Sequence, residues 1–228
     1  MKRRFVILIL AGFLATSLNA QQYGISAGIH SSRWNGDVYE FARDLAAGIN
    51  AQPGFSGFQF KPESRNGFAC SFYMDFPMNE YISVPMEMGY IQKGTKLTGR
   101  GSYSGNTVEE NMIMQTDYLL VSVMMKANLS KESVKPFVLA GISTDLIIRS
   151  NMAVEATLMG ETNTQTQKYE GFSNADIQIL TGAGIMFSEK FGIDCRYRLG
   201  LNNVLEEDAS DGYVMKNTGL EIRGMVFF

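Results

Sequence analysis

The chain has 228 residues, 45% of them hydrophobic, with 20 Lys and Arg against 23 Asp and Glu and a formal net charge of −3. That length suits one domain, and no Pro-, Gly- or Ser-rich stretch or charge run divides it. A near-neutral chain without a basic stripe has no electrostatic footprint for nucleic acid.

The first residues read as an export signal. Lys2-Arg3-Arg4 is followed by an apolar run from Phe5 to Leu14 and then by Leu18-Asn19-Ala20-Gln21. The run falls short of the ~20 residues a spanning helix needs. It predicts a cleavable signal peptide over 1–20, cut after Ala20, and a mature domain over 21–228. No cysteine follows the run, so a lipoprotein anchor is not expected. No later apolar run reaches helical spanning length either. A membrane protein without one must cross as a closed barrel, because only helices and barrels pair all their backbone groups in lipid.

The rest sorts into segments of alternating character, as strand residues point to opposite sides in turn. The first, from Tyr23, sets Ile25, Ala27 and Ile29 against Gly24, Ser26, Gly28 and His30. Next, Asp37 to Asn50 has helical spacing, with Val38, Phe41, Ala42, Leu45, Ala46 and Ile49 on one face and Asp37 as N-cap. Then Phe68, Cys70, Phe72, Met74 and Phe76 oppose Ser71, Tyr73 and Asp75; Val84, Met86, Met88 and Tyr90 oppose Ser83, Pro85, Glu87 and Lys93. Leu119, Val121, Val123 and Met125 oppose Ser122, Met124 and Lys126; Val138 to Ile148 oppose a row ending in Asp145 and Arg149. Ile177 to Phe187 oppose Asp176, Gln178 and Leu180. The last two are the clearest: Ile193, Cys195, Tyr197 and Leu199 against Asp194, Arg196 and Arg198, and Leu220, Ile222, Val226 and Phe228 against Glu221, Arg223 and Met225.

Links between these segments alternate in length. Short ones lie at Pro77–Glu80, Ser130–Lys135 and Ser188–Lys190, and long ones at roughly 34–66, 98–112, 150–172 and 203–217. A soluble barrel or sandwich would share the alternation of faces but has no reason to sort its loops by parity. An outer-membrane barrel does, with short periplasmic turns and longer loops outside. The expected fold is therefore all-β: an eight-stranded antiparallel up-and-down transmembrane β-barrel with a short helix in the first extracellular loop. Its apolar row would face lipid. Its polar row would line the interior with a structural charge network of Glu87, Lys126, Arg149, Asp194, Arg196, Arg198, Glu221 and Arg223. Eight strands leave an interior filled by side chains, which disfavours a porin. Cys70 and Cys195 fall on outward positions far apart, predicting two unpaired thiols, with a disulfide the alternative that export allows.

Four of these segments resemble the PorT-like outer-membrane β-barrel proteins of Bacteroidetes-type bacteria. Val84-Pro85-Met86-Glu87-Met88-Gly89-Tyr90-Ile91-Gln92-Lys93-Gly94 is similar to that family's third strand, and Asp117-Tyr118-Leu119-Leu120-Val121-Ser122-Val123 to its fourth. Pro136-Phe137-Val138-Leu139-Ala140-Gly141 resembles the fifth, and Arg196-Tyr197-Arg198-Leu199-Gly200-Leu201 the seventh. Ser122 stands where the fourth strand usually has proline, and the first connection is unusually long. The resemblance implies an outer-membrane barrel; a role in protein secretion belongs to one branch of that family.

No catalytic, cofactor or metal motif stands out. The only histidine, His30, lies beside Ser31 and Ser32, where a rim position would suit a lipid-modifying enzyme. Only Ser32 shares its face, and no carboxylate is placed to orient the ring. Glu206, Glu207, Asp208 and Asp211, and Glu109-Glu110, lack calcium-loop spacing and read as solvated loop acids. Thr162–Gln167 reads as a polar loop tip. The expected function is that of an integral outer-membrane protein, not an enzyme, with a structural, adhesive or envelope- and secretion-associated role carried by its outer loops. The alternatives are an outer-membrane lipid-modifying enzyme using His30 and a small-solute channel. Expected partners are outer-membrane lipid and envelope or secretion proteins.

Overall fold

The computed structural model describes residues 22–228; the expected signal peptide and its cleavage site lie outside them. The strands are β1 (Gln22–Gly36), β2 (Phe55–Pro77), β3 (Ile82–Tyr103), β4 (Asn106–Asn128), β5 (Lys135–Leu158), β6 (Glu161–Lys168), β7 (Ala175–Met186), β8 (Phe191–Gly200) and β9 (Met215–Phe227). One helix, α1 (Val38–Asn50), interrupts them, and a single 3-10 turn covers Glu207–Ala209. All strands but β6 form a closed antiparallel ring of eight, in the order β1-β2-β3-β4-β5-β7-β8-β9 and back to β1. The seam is fully laddered, with Gly24 to Gly36 of β1 opposite Phe227 to Met215 of β9. No described helix is long and apolar enough to cross a membrane.

The side-chain period decides which way each row points. In β8, Gly192, Asp194, Arg196, Arg198 and Gly200 are buried while Phe191, Ile193, Cys195, Tyr197 and Leu199 are exposed. The charged row is thus inside and the apolar row outside, the inverse of a water-soluble barrel. Exposure reaches 67% at Ile29 and 62% at Ile142. Outward aromatics mark two levels. Tyr81, Phe187, Phe191 and Phe228 ring the short-turn end, and Phe68 and Tyr90 stack 5.1 Å apart higher up. From Phe76 to Phe68 the rise is roughly 20 Å along the normal at a strand tilt of ~40°, close to the height of a lipid-facing band. Cys70 and Cys195 are exposed on this surface and unpaired.

The wall is uneven. Strands β2 to β5 run for 22 to 24 residues, whereas β7, β8 and β9 have 12, 10 and 13. Segments 98–112 and 150–172, expected as loops, are mostly strand. β3 and β4 continue to a two-residue turn at Ser104-Gly105, and β5 folds back into β6 through Met159-Gly160. Both turns have positive φ at both central residues (50° and 86°, 51° and 86°), the type I′ pattern that matches strand twist. The expected loop tip Thr162–Gln167 is likewise strand, since β6 pairs with β5 from Leu158↔Glu161 to Asn151↔Lys168. Above the lipid a hairpin needs no outward apolar row, so the alternation fades while backbone pairing goes on. The result is a sheet of β2, β3, β4, β5 and β6 standing clear of the ring on one side only.

Candidate functional site

The interior is stacked in layers. Nearest the short turns, Tyr73, Met124, Phe137, Leu139, Leu180, Met186, Met225 and Phe227 form an apolar layer. Lys126 pairs there with Asp75 and sits 5.8 Å over the Phe137 ring.

The middle layer holds most of the charge. Arg196 reaches from β8 across the lumen to Glu87 on β3, with one guanidinium nitrogen 2.9 Å from each carboxylate oxygen. β3 and β8 stand diametrically opposed in the ring, so this pair spans the barrel. Arg223 also donates to Glu87, at 2.7 Å, and to Ser71 Oγ at 3.3 Å; Arg196 holds its strand-mate Asp194 at 2.7 Å. Arg198 Nε donates to Glu221 at 2.8 Å. Room for these side chains comes from glycine: a Cβ on Gly28 would lie 2.8 Å from Arg223 Cγ and 1.9 Å from the Ile222 carbonyl. Buried arginine survives here because each guanidinium meets at least one carboxylate, Arg196 in forked contact with Glu87 and with Asp194.

Above lies a third cluster. Lys93 pairs with Asp145 and, at 2.8 Å, with Asp176, and sits 4.8 Å over the Tyr118 ring. Asp176 further accepts from Gln178 and Asn217, each at 2.9 Å. Sequence reasoning passed over Asp75, Lys93, Asp145 and Asp176 as network members. Yet each lies on the polar row of its strand, and row parity was the available signal.

Seven of the eight expected lumen charges, Glu87, Lys126, Asp194, Arg196, Arg198, Glu221 and Arg223, lie buried in these layers. Arg149 does not. The β4–β5 register slips between Asp117 and Tyr118, which pair with Arg149 and Ile147 and leave Ile148 as an extra residue. Such a bulge reverses the parity beyond it. Arg149 therefore points outside the barrel and is exposed.

His30 is not a rim residue. It is 1% exposed, faces the lumen opposite Glu221, and packs its ring against Gly219. Ser32, on the same face, is bound at both ends of its hydroxyl: it donates to the Gly94 carbonyl at 3.0 Å and accepts from the Gly94 amide at 2.9 Å. A serine so held is poorly placed as a nucleophile. Among the described residues no three His, Cys, Asp or Glu side chains gather as a metal site. Of the last-loop acids, Glu206 accepts from Asn174 at 3.2 Å.

The outer mouth is closed by α1. Its buried Val38 and Ala42 pack into a cluster with Trp34, Leu97, Met114, Phe172, Val204, Leu205 and Met215, and Ala46 is buried a turn further on. Asp37 does not cap the helix through its side chain. Its carboxylate instead accepts from the Val214 amide at 2.9 Å, while its own amide donates to the Val214 carbonyl at 3.1 Å. Further along, the Tyr213 hydroxyl donates to Asp44 at 2.6 Å and the rings of Tyr213 and Phe41 meet edge to face at 5.6 Å. That hydrogen bond, helped by Arg43, holds the Asp44 carboxyl below its usual range, and the same bond pushes the Tyr213 phenol up. At the far end, Asn50 brackets the backbone of Phe58, donating to its carbonyl at 3.0 Å and accepting from its amide at 2.8 Å. The helix is thus pinned over the lumen between β2 and the last long loop.

A ring closed at its seam, charged inside and apolar outside, is the arrangement of a barrel built for lipid. Residues 17–206 match the family described as Outer membrane protein beta-barrel domain. The chain belongs to that family. Its location is the cell outer membrane. Similar solved structures include Ail, the attachment invasion locus protein of Yersinia pestis (14% identity, 91% of this chain and 98% of that one, TM-score 0.41). Neisserial surface protein A is similar at 13% identity over 90% and 97%, with a TM-score of 0.39. The N-terminal barrel domain of Pseudomonas aeruginosa OprF follows at 11% over 89% and 97%, with a TM-score of 0.30. These likenesses are too distant to carry a role across. A search of curated proteins gave no match.

Proposed function

We propose that this protein is a non-conducting, non-catalytic outer-membrane barrel that acts through the surface it raises outside the cell, in an adhesive, structural or envelope- and secretion-associated role. The observation that carries this reading is the contrast between the two halves. The lumen is filled with interlocked ion pairs and stoppered by α1, while β2 to β6 extend well past the lipid band. Function on a scaffold of this kind concentrates in what projects from it. Within the family, the motifs around Glu87, Tyr118, Pro136 and Arg196 support a PorT-like assignment, and with it a place in envelope assembly.

The test compares cells carrying the full chain with cells in which the β3–β4 hairpin is shortened to a two-residue turn just above the Leu97↔Met112 pair and the β5–β6 hairpin to one just above Asn151↔Lys168, which keeps Lys93, Gly94, Leu97 and Met114. The shortened protein should insert normally, shown by heat-dependent gel mobility, and should lose attachment to surfaces and to other cells. Unchanged attachment would overturn the reading. So would a steady single-channel conductance in planar bilayers. His30→Ala should leave outer-membrane lipid composition unchanged; an altered lipid profile would favour the enzyme instead.

A further inference from the structure

The raised sheet has two edges, and they are treated differently. On β2, Asn50 binds the Phe58 amide and carbonyl, so α1 covers that edge. On β6 nothing does: among the described residues it pairs with β5 alone and ends the sheet, and all eight of its residues are exposed. Its hydrogen-bonding pattern follows from the turn. A two-residue type I′ hairpin makes its closing pair, here Leu158↔Glu161, a hydrogen-bonded one, and bonded and non-bonded pairs then alternate. Thr162, Thr164, Thr166 and Lys168 therefore turn their N–H and C=O groups away from β5, toward the open edge.

Proteins normally blunt such an edge with proline, a bulge, central charges or a covering element. β6 has no proline and no register slip, and its only charges, Glu161 and Lys168, stand at its two ends. The edge also complements itself. Two copies aligned antiparallel with Thr164 on the two-fold axis set Thr162 against Thr166 and Asn163 against Gln165. No like charges meet, and about six ladder hydrogen bonds form. Geometry fixes where the copies must be. Strands that both point out of one membrane run parallel, whereas strands from two facing membranes run antiparallel. We infer that β6 is a homophilic contact strand, pairing with β6 of a second copy of this chain in an apposed membrane. One short polar ladder is weak, but many across two membranes sum by avidity. This inference rests on the surface role proposed above and supplies its partner.

The test uses the full mature chain refolded into phosphatidylcholine vesicles, with clustering followed by light scattering. Wild-type vesicles should cluster as protein density rises. Thr164→Pro removes one outward N–H and leaves the β5 ladder intact, which hydrogen exchange at Asn163 and Gln165 would verify; these vesicles should stay dispersed. Thr164→Lys vesicles and Thr164→Glu vesicles should each stay dispersed alone and cluster when mixed. Dispersed wild-type vesicles at all densities, or clustering of Thr164→Pro equal to wild type, would overturn the inference. Failure here with hairpin-dependent cell attachment intact would remove only the homophilic partner. Loss of both would remove the surface role as well.

Discussion

Glu87 and Arg196 join opposite walls of the barrel, a hydrogen bond of 2.9 Å and a second ion-pair contact of 2.9 Å linking a carboxylate on β3 to a guanidinium on β8. The contact stands in for the packed core that a soluble barrel would have. It fixes the bore of the ring, and it places three arginines within reach of three carboxylates without a solvent path.

Removing Glu87 should therefore be costly. Glu87→Gln leaves Arg196 and Arg223 buried with one charge partner fewer, an effect of about 3–5 kcal/mol for a broken buried pair. Urea titration in detergent or vesicles reads it through Trp34, the only tryptophan, which is 2% exposed in the mouth cluster. A quadruple variant with Glu87, Asp194, Arg196 and Arg223 all made apolar, which leaves Glu221 its partner Arg198, should recover most of the loss.

Gly94 is the tightest point of β3. It has φ +141°, and a Cβ there would lie 1.9 Å from the Met114 carbonyl. Gly94→Ala should destabilise the barrel by more than about 1 kcal/mol and disturb the Ser32 contact. A stability unchanged from wild type in the same urea titration would contradict this.

The α1 clasp should depend on pH at both ends. Asp44 is held below its usual range, so its contribution is present above the unfolded pKa and lost as pH falls through the lowered folded one. The Tyr213 phenol is pushed up, so its contribution is present below the unfolded pKa and lost as pH rises through the raised one. Docking of α1 should be firmest between the carboxylate and phenol ranges. Proteolysis next to Arg43 should accelerate outside that window, and Tyr213→Phe should abolish the dependence on Asp44.

The two thiols face lipid. An apolar maleimide should modify Cys70 and Cys195 in vesicles, a charged membrane-impermeant reagent should not, and gel mobility should be indifferent to reductant. Reductant-sensitive mobility would reveal a disulfide and contradict the arrangement.

Much of this was legible in the sequence, because a strand's two faces are written at every second residue. In β8 and β9, full charges alternate with Ile, Tyr and Leu, and no other local structure accounts for that pattern. Arg149 was misread because a bulge shifts parity without changing composition. His30 was misread because rim and lumen positions look alike until the neighbouring strand rises past them. The raised hairpins escaped because Ser104-Gly105 and Met159-Gly160 are turns without flanking apolar alternation. Once outside lipid, the pairing of β5 with β6 is carried by the backbone ladder and a Thr157–Thr162 hydroxyl contact of 2.9 Å, not by an apolar face.

The inside-out arrangement is tested most directly at Cys70 and Ser71, neighbours on β2 that are exposed and buried respectively. Single-thiol proteins, one keeping Cys70 and one carrying Ser71→Cys with both native cysteines replaced by serine, are spin-labelled in vesicles. Relaxation by membrane-dissolved oxygen is then measured. The account predicts strong relaxation at position 70 and little at 71, repeated at Cys195 against Asp194→Cys. Equal relaxation at both neighbours, or the reverse order, would contradict a barrel with its charges inside.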